Sequence, residues 1–125
     1  MSILIRNGRI VTASEDYVAD IYIEGETVHS IGKNLQVQAD QTIDASGNVV
    51  LPGGIDPHVH LQMPFMGTWS SDSYETGTLA ALHGGTTMVI DFVLQTQGKS
   101  LQHALDAWRG RSDGNCYGDY SFHIA

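Results

Sequence analysis

Asp56, His58 and His60 occupy alternate positions of the run Ile55-Asp56-Pro57-His58-Val59-His60-Leu61. In an extended backbone a period of two turns all three side chains to one face. Two imidazoles on one side of a strand can share a metal ion. Their nitrogens suit zinc, iron, nickel or cobalt, and the neighbouring carboxylate could fix a ring tautomer from behind. A catalytic zinc takes three ligands from protein, so the pair is only part of a site. The competing reading of the same residues is one core histidine and one loop histidine.

The other chemistry-bearing residues carry weaker signals. His29 and His103 fall on solvated strand and helix surfaces, and His83 closes a helix, where an imidazole meets the last carbonyls. His123 sits on a strand as a core or supporting histidine, and Asp91 as a carboxylate able to stand behind a ligand. Cys116 has neither a basic neighbour nor a second cysteine, which makes it a plain thiol.

The elements that must position these residues follow from periodicity. Up to about Val50, Ile3, Ile5, Ile10 and the run Ala19-Asp20-Ile21-Tyr22-Ile23 alternate as short strands. Asn7-Gly8, Glu24-Gly25-Glu26 and Ser46-Gly47-Asn48 punctuate them as turns of a β-meander, and only Asn34 to Ala39 is weakly helical. After Leu51-Pro52-Gly53-Gly54 the pattern becomes strand, loop, helix, strand. Asp72 and Glu75 form a capping box for a helix with the body Thr78-Leu79-Ala80-Ala81-Leu82, ended by Gly84-Gly85. Gly77 costs that helix about 1 kcal/mol relative to Ala. Thr86 to Phe92 is apolar on both sides, like a covered parallel strand. Ser100 caps a second helix with Leu101, Ala104, Leu105 and Trp108 at helical spacing, and Asp119 to Ala125 is a third strand.

The three later strands begin near Gly54, Thr87 and Asp119, about 33 and 32 residues apart, close to the ~31 per unit of a (β/α)8 barrel. The fold class read from this is α/β: residues 1–52 as an N-terminal β segment, and residues 53–125 as two βα units and a third strand of an incomplete barrel. The last strand has no helix to cover it, and such a bare edge invites aggregation. A cut through a longer chain is therefore expected, the competing reading being a compact three-stranded α/β domain complete in itself.

Composition narrows the function classes. Six Lys and Arg against fourteen Asp and Glu give a net charge of −8, without a basic run, so nothing offers a nucleic-acid backbone or an anionic membrane its counter-charge. The N-terminal apolar run is broken by Asn7-Gly8 and does not read as a signal peptide. With one cysteine and no apolar stretch near the ~20 residues of a membrane span, a cytoplasmic protein is expected.

The stretches Gly53 to Thr68 (GGIDPHVHLQMPFMGT) and His83 to Phe92 (HGGTTMVIDF), with the opening ILIRNGRIV and the closing DYSFH, together resemble the N-terminal part of the dihydropyrimidinase and D-hydantoinase family. The resemblance spans essentially the whole sequence. It implies a metal-dependent cyclic amidohydrolase: a barrel preceded by a small β-sandwich, opening the ring of a dihydropyrimidine or hydantoin to an N-carbamoyl amino acid. His58 and His60 match ligands of one ion of a two-ion site, usually zinc. A carboxylated lysine, two further histidines and an aspartate complete that site on later strands, so the 125 residues alone are expected to be inactive. In the family a metal-held hydroxide attacks the ring carbonyl while the ions stabilise the oxyanion. Met63 and Phe65 match an apolar gate loop that contacts the ring substituent. Gln62 stands where dihydroorotase-like relatives carry an arginine that grips a ring carboxylate, so a substrate without that group is implied. The family also implies a homotetramer. The alternatives are another cyclic amidohydrolase such as an allantoinase, or a non-catalytic metal-binding or assembly module.

Overall fold

The computed structural model describes residues 1–125 and divides into two compact units, Met1–Pro52 and Gly53–Ala125. In the first, β1 (Ser2–Val11), β2 (Asp16–Glu24) and β3 (Thr27–Gly32) run antiparallel in succession. The meander ends there. β4 (Gln41–Asp44) and β5 (Val49–Val50) pair parallel to β1, and the result is one five-stranded sheet. Ile10, Ala19 and Ile21 form its core, with Ile5, Tyr17, Ile23 and Val50 packed around them.

Two local expectations change in this unit, and one carboxylate accounts for both. Asn7-Gly8 is not a turn: β1 runs through it with a register shift between Ile5 and Gly8, and Asn7 takes a φ of 60°. Buried Asp20 stabilises this bulge by accepting the Asn7 N–H at 2.9 Å. It also accepts the Leu35 N–H at 3.0 Å and faces the Arg6 guanidinium at 3.5 Å. Residues 34–39 are irregular chain, not helix. Leu35 is drawn to Asp20, and the φ of 53° at Asn34 is outside the helical region.

The second unit is a parallel three-stranded sheet in the order β10-β9-β6 with two helices. Its elements are β6 (Gly54–Val59), a small hairpin of β7 (Pro64–Phe65) and β8 (Thr68–Trp69), α1 (Tyr74–His83), β9 (Thr86–Val93), α2 (Leu101–Ser112) and β10 (Asp119–Ile124). Val89 and Val93 of β9 pack with Leu61, Tyr74 of α1, and Ala104 and Trp108 of α2. Alternation along β9 therefore turns Val89, Asp91 and Val93 toward the helices and leaves Phe92 on the opposite face.

Helix boundaries follow side-chain hydrogen bonds. Ser100 caps α2, its hydroxyl accepting the His103 N–H at 3.1 Å. The cap of α1 is Ser73, one residue later than the Asp72 expected from the sequence. Ser73 Oγ accepts the Thr76 N–H at 3.1 Å, and Thr76 Oγ1 accepts the Ser73 N–H at 3.0 Å. Asp72 is occupied elsewhere, its carbonyl accepting the Gln62 N–H at 2.7 Å. Gly84 ends α1, and Gly85 follows at a φ of 85°.

Candidate active site

His58 and His60 lie at the C-terminal end of β6, where barrel enzymes gather their functional groups. The strand reaches that end through a bulge: Asp56 pairs with Val89 and Val59 with Asp91, so three residues of β6 advance over two of β9. Val59 then packs toward the helices with the main core. Its neighbours His58 and His60 take the opposite, open face, where their rings meet edge to face with centroids 5.1 Å apart. Asp56 does not continue this alternation. Its carboxylate accepts the His58 backbone N–H at 3.1 Å, so it orders the backbone under the pair instead of fixing an imidazole.

Phe92 supports both rings. Its centroid is 4.4 Å from that of His58 and 5.5 Å from that of His60. In-register pairing of β9 with β10 sets His123 beside Phe92, with centroids 4.8 Å apart, and His123 Nε2 lies 3.0 Å from the Pro57 carbonyl. His123 thus shares the open face and ties β10 to β6. It does not join the pair as a third ligand, and no cluster of three His, Cys, Asp or Glu forms. His29, His83 and His103 are exposed; His83 ends α1 and His103 lies in the first turn of α2.

Behind the pair, on the helix side, Asp91 is fully buried. One of its oxygens accepts the Tyr74 hydroxyl at 2.6 Å and the Leu61 N–H at 3.4 Å, and the other accepts the Phe92 N–H at 2.7 Å. Burial first, then the carboxylate, push the Tyr74 phenol well above its usual pKa. Leu61 follows His60 directly, so Asp91 anchors the chain as it leaves the pair.

Beyond His60 the chain enters the β7–β8 hairpin, whose tip residues Met66 and Gly67 both have positive φ, 48° and 80°. That is the backbone of the tight hairpin turn matching strand twist. Met63 is buried and Phe65 exposed. With His60, Thr68, Trp69, Ser70 and Leu94 they line a cavity of about 480 Å³. Ser70 Oγ accepts the Met63 N–H at 2.9 Å and holds the two arms together. Trp69 and Leu94 escape sequence reasoning because neither carries a titratable group. Cys116 is half-buried, and burial, then Asp113, push its thiol up to about 11, in keeping with an unreactive role.

A parallel sheet thus carries a histidine pair at its C-terminal end with an apolar cavity beside it, and residues 49–110 match the model of the amidohydrolase family. The chain is 48% identical over 124 residues to the D-hydantoinase of Geobacillus stearothermophilus, covering 99% of this chain and 26% of that protein. It is 45% identical over 128 residues to the dihydropyrimidinase of Rattus norvegicus, covering 98% of this chain and 25% of that one. The crystal structure of a dihydropyrimidinase from Brevibacillus agri superimposes with a TM-score of 0.96 at 51% identity, over 99% of this chain and 27% of that one. The chain belongs to the D-hydantoinase and dihydropyrimidinase family, and it spans about a quarter of the length of these relatives.

Proposed function

We propose that these residues are part of a cyclic amidohydrolase that opens hydantoin or dihydropyrimidine rings, contributing two ligands of one metal ion and a wall of the substrate pocket. The observation that carries this reading is the meeting of the His58 and His60 rings at 5.1 Å on the open sheet face, next to a cavity that His60 itself lines. Two neutral imidazoles are a donor set suited to zinc. A divalent ion there supplies Lewis acidity toward the ring carbonyl and acidifies a water.

The chain's own residues do the rest of the work in this reading. Phe92 restricts the imidazole rotamers and shields their faces. Asp56 and Asp91 hold the backbone before His58 and after His60. Met63 and Phe65, with Trp69 and Leu94, offer an apolar surface to the substituent on the ring and exclude water from it. Gln62 brings no charge to grip a ring carboxylate, which favours uncharged rings.

This reading takes the sheet of residues 53–125 as the first three strands of a (β/α)8 barrel and the sheet of residues 1–52 as one layer of a β-sandwich. It assigns the bridging carboxylated lysine, the second histidine pair and the aspartate to sequence outside the 125 residues. A homotetramer, a cytoplasmic location and zinc as the metal belong to the same reading. The test is His58→Ala in the longer protein, with metal content by mass spectrometry and ring opening of dihydrouracil and hydantoin. Both are expected to be lost; retention of both would remove His58 from the metal site.

A further inference from the structure

Arg111, near the C-terminal end of α2, lies between two indoles. Its guanidinium carbon is 4.5 Å from the centroid of Trp108, which is buried on its own helix, and 5.1 Å from that of Trp69 on β8. Its Nη1 also donates to the Gln62 carbonyl at 3.3 Å. Gln62 is a strained link: it takes a φ of 46°, which a residue with a side chain rarely adopts. It stands between His60 and Met63, where the chain passes from the imidazole pair to the cavity wall.

These three contacts converge on one mobile-prone object. The β7–β8 hairpin has only two backbone-paired residues on each arm, far short of what holds an isolated hairpin together. Its outer residues Phe65, Met66 and Trp69 are exposed, so the hairpin has little core of its own. Arg111 supplies a planar cation that stacks on the rigid Trp108 on one side and on the hairpin's Trp69 on the other, a geometry that lysine cannot reproduce.

We propose that Arg111 is a positioning residue that sets which ring substituents the cavity accepts, by clamping Trp69 and the Gln62 carbonyl to α2. The clamp rests on the reading of the cavity as the substituent pocket. Arg111 does not line the cavity itself; it holds Trp69, which does, and the Gln62 carbonyl one residue before the lining Met63.

The experiment compares Arg111→Met, Trp69→Ala and the double variant in the longer protein, using phenyl-substituted and unsubstituted hydantoin. Arg111→Met is expected to lower the preference in kcat/KM for the phenyl-substituted ring about tenfold, through KM, since a wall that must be ordered on binding loses preorganised affinity. Trp69→Ala should do the same, and the double variant should lose less than the sum of the two, because both break the Arg111–Trp69 contact. Chymotryptic cleavage after Phe65 should accelerate in Arg111→Met. Fully additive effects, or an unchanged preference with an unchanged cleavage rate, would overturn the clamp. A wild-type protein that opens neither ring would instead overturn the pocket reading, and the cleavage rates would still decide whether Arg111 holds the hairpin.

Discussion

The Tyr74 hydroxyl donates to Asp91 at 2.6 Å, and both side chains are fully buried. One bond thereby joins α1 to β9 behind the imidazole pair. A hydrogen bond to a charged acceptor contributes about 1.5–3 kcal/mol, and Tyr74→Phe should destabilise the protein by that order in urea denaturation. The raised phenol adds a pH signature. Below its ordinary pKa of 10.0 the phenol is protonated in both folded and unfolded states, and its contribution is fully present. Above it the unfolded phenol ionises while the folded one keeps its proton, so stability falls as pH rises. Tyr74→Phe should flatten the decline in melting temperature above pH ~10; an equally steep decline would show that Tyr74 does not cause it.

Gly77 lies inside α1, where Ala would ordinarily gain about 1 kcal/mol. An added Cβ, however, would clash with Leu61 Cδ2. Leu61 is 8% exposed and part of the core, and overpacking of this kind costs about 1–3 kcal/mol. Gly77→Ala should therefore lower the denaturation midpoint, and pairing it with Leu61→Val should recover part of the loss. A stabilised Gly77→Ala protein would mean that Leu61 moves aside without cost.

The two candidate caps of α1 can be separated by mutation. Ser73→Ala removes the bond from the Thr76 N–H to the Ser73 hydroxyl, leaves the Ser73 N–H donating to Thr76 Oγ1, and should cost about 1 kcal/mol. Asp72→Ala leaves its carbonyl bond to Gln62 and the cap intact, so a smaller loss is expected from thermal melts of the two variants.

Zinc titration of the 125-residue chain should give binding weaker than about 1 µM, because four-ligand structural sites reach about 10–16 kcal/mol and only two imidazoles converge here. His58→Ala should abolish what binding there is. Stoichiometric sub-micromolar uptake in calorimetry would instead favour a self-sufficient metal-binding module.

What the sequence made legible was local. The phase of His58 and His60, the Ser100 cap, the three parallel strands and the glycine end of α1 each depend on a few neighbouring residues. What it hid depends on partners distant in the chain. Asp20 turns Asn7-Gly8 into a bulge and unwinds residues 34–39 through bonds across 13 and 15 positions. β4 and β5 return to β1 in parallel, a pairing that alternation cannot reveal. Ser73 and Asp72 are both good caps by type, and only the commitment of Asp72 to Gln62 separates them. The cavity joins residues 60–70 to Leu94 and owes its stiffness, in our reading, to Arg111, none of which a short window contains.

The extra residue that β6 carries between Asp56 and Val59 is matched by one that β9 carries between Thr86 and Met88, so both strands advance five residues from the Gly54–Thr86 pair to the Val59–Asp91 pair. The phase of the imidazoles is therefore tied to the Val59–Asp91 pairing and not to a uniform ladder beneath it. A one-residue slip at that pair would roll the strand's upper end to the other face, turning both imidazoles toward the packed helices and Val59 outward. An insertion or deletion on one strand that displaces this pair should therefore be more damaging than most single substitutions near it.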